Sequence, residues 1–168
     1  MDLGIAGAAG PTGAAATALK WSALGADDFE RLLYDILRSL DGYQNVEWLM
    51  KTNAPDRGRD ISLQRVINDS AGSTRYERVF VQAKHYTSKS VGPADVRDSL
   101  ARLPLWEPPV IRSLIIATSG RSSSDAVGVV ERHNDLGTRP HIELWPDSRL
   151  ETLLAQRPGL AITYGLRS

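Results

Sequence analysis

Polar residues that could act together in a catalytic or metal site lie within 55–86, on two predicted neighbouring strands. Asp60 opens the first strand, and Val81-Gln82-Ala83-Lys84 closes the second. Because alternate side chains of a strand share a face, Gln82 and Lys84 point to the same side. An aspartate across a hairpin from an amide and a lysine forms a polar cluster at the edge of a sheet.

Such a cluster can hold a divalent cation. The carboxylate of Asp60, the amide oxygen of Gln82 and the backbone carbonyl of Ala83 are hard oxygen ligands. Lys84 would stand beside the water of such a cation, where it can orient that water or offset charge growing on a phosphate. Two simpler roles stay open: Asp60 as a turn residue after Gly58, and Lys84 as a solvated lysine at a strand end.

Hydrophobic spacing and turn residues predict the helices and strands around these residues. An apolar stripe predicts a helix over 27–40, and the loop composition of 68–73 predicts a β-hairpin. The predicted strands are 46–50, 60–67, 76–84, 114–118 and 141–145, and the other predicted helices are 93–103, 122–136 and 146–156. This order predicts an α/β fold with a central mixed sheet flanked by helices.

Length and composition bound the class of protein. The 168 residues suit one domain. We expect a flexible Gly/Ala-rich arm over 1–20 and the domain itself over 21–168. The sequence has no cysteine, which excludes disulfide frameworks, iron–sulfur clusters and thiol catalysis, and its three histidines lack metal-ligand spacing. It has no run of about 20 apolar residues for a membrane helix and no convincing secretory signal, so we predict a cytoplasmic protein without membrane contact.

Several short motifs in this order resemble the Mrr-like restriction endonuclease domain of the PD-(D/E)xK nuclease superfamily. The resemblance covers about 24–154 and implies an αβββαβ core. Its motifs are Phe29-Glu30, Gly42-Tyr43, Gly58-Arg59-Asp60, Gln82-Ala83-Lys84-His85-Tyr86 and Val91-Gly92.

The resemblance implies four active-site positions. Asp60 would be the central metal-binding carboxylate, and Gln82 takes the place where the wider superfamily has Asp or Glu. Lys84 would be the catalytic lysine, and Glu30 would reach the metal from the first helix. An alternative for Glu30 is a capping box with Asp27, in which it satisfies amides at the helix start.

The reaction implied by the resemblance is Mg²⁺-dependent hydrolysis of a DNA phosphodiester, with Mn²⁺ as an alternative ion, in restriction or antiviral defence. The expected partners are DNA, a second copy of the chain, and a separate target-recognition or NTPase chain or domain. Two alternatives stay open: a junction-resolving nuclease, and a catalytically inactive DNA-binding or interaction module with the same fold.

The charge distribution also favours a phosphate partner. Residues 51–102 hold ten basic and six acidic residues, whereas 1–50 hold three basic and seven acidic ones. Positive charge therefore gathers around the predicted site, as phosphate binding requires. The DNA contacts predicted within this segment are Arg57, Arg59, Tyr86 and Lys89, although loop arginines are often merely exposed and Tyr86 could simply pack.

Overall fold

The computed structural model describes residues 18–49 and 60–167. The helices are α1 (Ala26–Ser39), α2 (Pro93–Arg102), α3 (Ser124–Asp135), α4 (Asp147–Ala155) and α5 (Pro158–Thr163). The strands are β1 (Tyr43–Leu49), β2 (Asp60–Asn68), β3 (Thr74–Lys84), β4 (Ser113–Thr118) and β5 (His141–Trp145). Two 3₁₀ turns, Trp21–Ala23 and Leu103–Trp106, precede α1 and follow α2.

The five strands form one sheet in the order β1-β2-β3-β4-β5. The first two pairings are antiparallel, and the last two are parallel. The predicted hairpin of β2 and β3 is confirmed, with Ile61 opposite Val81. β4 is buried along its whole length, as expected for a strand covered on both faces.

Helices cover both faces of the sheet. On one face, the apolar stripe of α1, with Phe29 and Leu33, packs against Ile61 and Val81. On the other face, α2 and α3 cover Phe80 and its neighbours on β4 and β5. The period-2 alternation of β2 and β3 divides the core in this way, because odd-numbered apolar residues there face α1 and Phe80 faces α2.

The predicted α/β class, with its mixed sheet between helices, is confirmed. Helix α5 was not predicted from the sequence; it begins at Pro158, a residue that suits the first position of a helix. Leu19 is buried in the core and the amide of Lys20 donates to the carbonyl of Leu166 at 3.0 Å, so both residues pack with the domain. None of the helices in the described ranges has the length and apolar character of a membrane span.

Candidate active site

Asp60 and Gln82 meet on the face of the sheet that α2 covers. The hairpin register puts Ile61 opposite Val81, which brings Asp60 opposite Gln82. Asp60 is 2% exposed, and the amide nitrogen Nε2 of Gln82 lies 3.4 Å from its Oδ1. The predicted convergence of these two side chains is therefore present in the structure.

Two side chains of α2 reach the same pair. Arg102 donates to the Oδ2 of Asp60 from Nη2 at 2.7 Å and from Nε at 3.2 Å, and so forms an ion pair. The hydroxyl of the buried Ser99 donates to the Oε1 of Gln82. Both oxygens of the Asp60 carboxylate thus accept N–H donors, which is how a buried charge is normally compensated.

Lys84 lies two residues beyond Gln82 on the same face of β3, half-buried at the end of the strand. Lys84 is the diagonal neighbour of Asp60 across the two strands, and such neighbours are roughly 7–8 Å apart, a distance that a lysine side chain can reach across. The charge of Lys84 also acts on Asp95 of α2. Burial alone would raise the pKa of the Asp95 carboxyl, but a hydrogen bond from Tyr86 and the charge of Lys84 lower it below the ordinary value.

Tyr86 and Lys89 continue this polar region beyond the end of β3. The hydroxyl of Tyr86 donates to the Oδ1 of Asp95 at 2.6 Å. Burial, and then this hydrogen bond, raise the pKa of Tyr86, so the hydroxyl keeps its proton. The ammonium of Lys89 lies 4.4 Å from the centre of the Tyr86 ring, a cation–π contact.

Glu30 lies on α1, which packs on the opposite face of the sheet from α2. Its neighbour Phe29 stacks on the ring of His85 at 5.1 Å, so this part of α1 borders the end of β3. The helix begins at Ala26 with Gly25 as its N-cap, so the capping box with Asp27 is not formed. The metal role of Glu30 stays a prediction.

The structure says less about the remaining predicted site residues, Ala83, Arg57 and Arg59. Ala83 pairs with Ala117 between Gln82 and Lys84, and a metal role for its carbonyl is untested. Arg57 and Arg59 lie outside the described residues. Across 18–49 and 60–167, no three His, Cys, Asp or Glu side chains are grouped as a metal cluster.

Three residues of α2 at this site were not predicted from the sequence, namely Asp95, Ser99 and Arg102. The sequence did hold a signal for Ser99, which occupies a buried position in line with Val96 and Leu103. A small hydroxyl residue in an apolar stripe indicates a polar partner on the surface that the helix covers.

Comparisons with known proteins point to one class. The family model Mrr_cat, described as a restriction endonuclease, matches residues 21–154. None of the curated proteins compared with the chain matches it.

Two solved structures share the fold. One is the DNA modification-dependent restriction endonuclease AspBHI, with a TM-score of 0.54 and 15% identity over 82% of this chain. The other is the MspJI restriction endonuclease in complex with a 27-mer oligonucleotide, with a TM-score of 0.52 and 21% identity, also over 82%. The matched region spans 33% and 29% of those two longer chains.

Proposed function

The chain belongs to the Mrr_cat family of restriction endonucleases, and on this basis we propose that it is a Mg²⁺-dependent endonuclease hydrolysing phosphodiester bonds of DNA. Its role would be restriction of foreign DNA, including antiviral defence. Action on DNA agrees with the cytoplasmic location predicted from the sequence.

One observation carries the proposal: Asp60 and Gln82 touch across β2 and β3, with Lys84 on the same face. These three residues come from two segments of the chain that are more than 20 positions apart. A buried carboxylate beside an amide and a lysine is the arrangement that the family resemblance implies for a nuclease site.

The residues present fit a divalent cation by their chemistry. Asp60 offers carboxylate oxygens, and Gln82 would offer its amide oxygen after a half-turn of the amide group. The hydroxyl of Ser99 can donate or accept a hydrogen bond, so it can satisfy Gln82 in either amide orientation. The carbonyl of Ala83 and the carboxylate of Glu30 are the further ligands we propose.

The chain's own residues would do the following work. Asp60 and Gln82 hold and orient the ion, which when bound supplies polarisation of the phosphate and easier deprotonation of water. Lys84 donates hydrogen bonds to the non-bridging oxygens, where negative charge grows during attack on phosphorus.

The DNA backbone would continue along the basic surface beyond β3. An open pocket of about 540 Å³ there is lined by Tyr86 and the basic residues Lys20, Lys89 and Arg121. Basic side chains position phosphates without reading base sequence. We therefore propose that target recognition comes from another domain or chain, including an NTPase, and that two copies pair to cut both strands.

One observation favours a second candidate, a catalytically inactive DNA-binding module. Both oxygens of Asp60 accept N–H donors, from Gln82 and Arg102. In such a module this hydrogen bonding would be permanent. DNA binding without cleavage in the presence of Mg²⁺ would be its signature.

Nicking of supercoiled plasmid by the full chain tests the proposal, with Mg²⁺ and with excess chelator. Asp60→Ala and Lys84→Ala should each lower the rate about 100-fold or more, because each removes a group that acts on the reacting phosphate or its ion. Arg132→Ala removes an exposed charge on α3 and serves as the matched control.

Circular dichroism and a DNA gel shift on the same variants show whether they are folded and still bind. Unchanged nicking in both folded variants would remove the proposed site. Binding with no nicking by the unaltered chain, in Mg²⁺ or Mn²⁺, would favour the inactive module.

A further inference from the structure

Helix α2 presents polar side chains to the site on one of its faces. Asp95, Ser99 and Arg102 follow one another at spacings of four and three residues, which places them along one side of a helix. Val96 and Leu103 anchor the same side in the core. The helix is therefore held in the core by apolar contacts, and a row of polar side chains, its polar edge, lies against the site.

Arg102 is the member of this edge with the strongest contact. Its Nη2 and Nε both approach the Oδ2 of Asp60, at 2.7 and 3.2 Å, and its side chain is 21% exposed against 3% for that of Asp60. Arginine is a weakly hydrated cation with a rigid fork of donors, so it pairs well with a buried carboxylate. Gln82 lies beside one of the two carboxylate oxygens, Oδ1, and the guanidinium covers the other, Oδ2.

A divalent cation and a guanidinium cannot both lie against that oxygen. Their like charges repel at such short range. Binding of the ion to Oδ2 therefore requires withdrawal of Arg102 from Asp60, and binding to Oδ1 is weakened by the nearby guanidinium until Arg102 withdraws. Arg102 is the last residue of α2, ahead of the 3₁₀ turn Leu103–Trp106, so a change of side-chain rotamer can separate it from Asp60 without moving the sheet.

We infer that Arg102 is an internal cation that holds the Asp60 carboxylate until a divalent cation takes its place, and so sets the ion concentration at which the site is complete. The inference rests on the proposed function. Arg102 is a positioning residue here, since it acts through Asp60. If roughly nine molecules in ten have the ion pair closed, the apparent affinity for the cation is about tenfold weaker than that of the open site.

The test is a calorimetric titration of Mn²⁺ into the full chain without DNA, so that the readout is independent of cleavage. Arg102→Met removes the charge and adds no hard ligand, and it should tighten Mn²⁺ binding about tenfold. Arg102→Lys keeps a charge but loses the fork, so its affinity should lie between the two. Arg97→Met on the exposed side of α2 is the matched control and should bind as the unaltered chain does.

Adding Asp60→Asn to Arg102→Met should abolish the titration signal, which assigns the ion to this carboxylate. Equal affinity in Arg102→Met and the unaltered chain, with binding lost in Asp60→Asn, overturns the role of Arg102 and leaves the proposed function standing. The absence of Asp60-dependent binding in every variant overturns both. If Arg102→Met does not fold, an affinity of Arg102→Lys equal to that of the unaltered chain is sufficient to reject the inference.

Discussion

Two arginine–carboxylate clusters lie on opposite faces of the same sheet, and they are built differently. In the Arg65 cluster, Arg65 of β2 contacts Glu77 of β3 and Glu143 of β5, each at 2.6 Å. In the Arg102 cluster, a helix residue contacts Asp60 at 2.7 Å. The first joins strands to one another, whereas the second joins a helix to a strand.

The difference separates a structural role from a functional one. The position of Arg65 follows from strand register, and Tyr43 and Ser113 on two further strands accept hydrogen bonds from the same guanidinium at 3.3 Å. Separating these groups would disrupt the sheet. Arg102 can leave Asp60 by a change in its own side chain, and a cation can replace it, so its ion pair suits a site that must open.

Replacing each arginine by methionine should have the largest effect and should distinguish the clusters. Arg65→Met leaves two partly buried carboxylates without their guanidinium and should cost about 3–5 kcal/mol of unfolding free energy. Arg102→Met removes the guanidinium from Asp60, which keeps a hydrogen bond from Gln82, and should cost less. Urea unfolding with and without Mn²⁺ measures both.

Mn²⁺ should raise the stability of Arg102→Met by more than it raises that of Arg65→Met, because an ion that binds the native state stabilises it more when it binds more tightly, and Arg65→Met keeps Arg102 against Asp60. Equal recovery in the two variants would erase the distinction between the clusters. So would a lack of recovery in Arg102→Met.

The sequence indicates the strand half of the site, because strand geometry is local. Alternation along β3 puts Gln82 and Lys84 on one face, and the loop between β2 and β3 fixes a register that brings Asp60 to Gln82. The confirmed hairpin therefore carries most of what could be predicted about the site.

The helix half of the site was not predicted, because no local rule says how a helix rotates and docks. The spacing of Ser99 and Arg102 shows that they share a face of α2, but the partners Gln82 and Asp60 follow from packing of the whole domain. The same holds for α5, whose short sequence is helical in its packed position against α4.

Acid should weaken the Arg65 cluster by protonating Glu143, and Glu143→Gln should remove this pH dependence. Burial alone would raise the pKa of the Glu143 carboxyl, but hydrogen bonds from Arg65 and Trp145 and the charges of Arg65 and His141 lower it below the ordinary value of 4.5. Because the folded-state pKa is depressed, the stabilisation is fully present above the ordinary value of 4.5 and is lost as the pH falls from there through the lower folded-state pKa.

Thermal unfolding between pH 6 and pH 3 measures this. Glu143→Gln should cost about 1.5–3 kcal/mol at pH 6, the loss of a hydrogen bond to a charged group. The cost should shrink as the pH falls below 4.5, because protonation of Glu143 in the unaltered chain removes the charge that Arg65 stabilises. A cost that is the same at both pH values would show that the charge of Glu143 contributes nothing.

A smaller change inside the Arg102 cluster tests the amide of Gln82. Ser99→Ala removes the hydroxyl that donates to the Oε1 of Gln82 in a buried position. We expect a loss of about 1 kcal/mol of unfolding free energy. Mn²⁺ affinity should stay the same, since the hydroxyl can satisfy Gln82 in either amide orientation and its loss affects both orientations alike. Val96→Ala on the same helix controls for loss of packing, and it should destabilise the domain more than Ser99→Ala does.

The smallest effect should come from Tyr86→Phe. The hydroxyl donates to Asp95, which also accepts a hydrogen bond from the amide of Gly92 at 2.9 Å and keeps the charge of Lys84 nearby. Loss of the hydroxyl should therefore cost about 0.5–1 kcal/mol of unfolding free energy, and DNA affinity should stay the same because the hydroxyl is turned to Asp95.

Lys89→Ala, in contrast, should weaken DNA binding and reduce its salt dependence by roughly one phosphate contact. Gel-shift titrations at several salt concentrations separate the two variants, and an equal loss of affinity in both would mean that the hydroxyl of Tyr86 leaves Asp95 to contact the DNA.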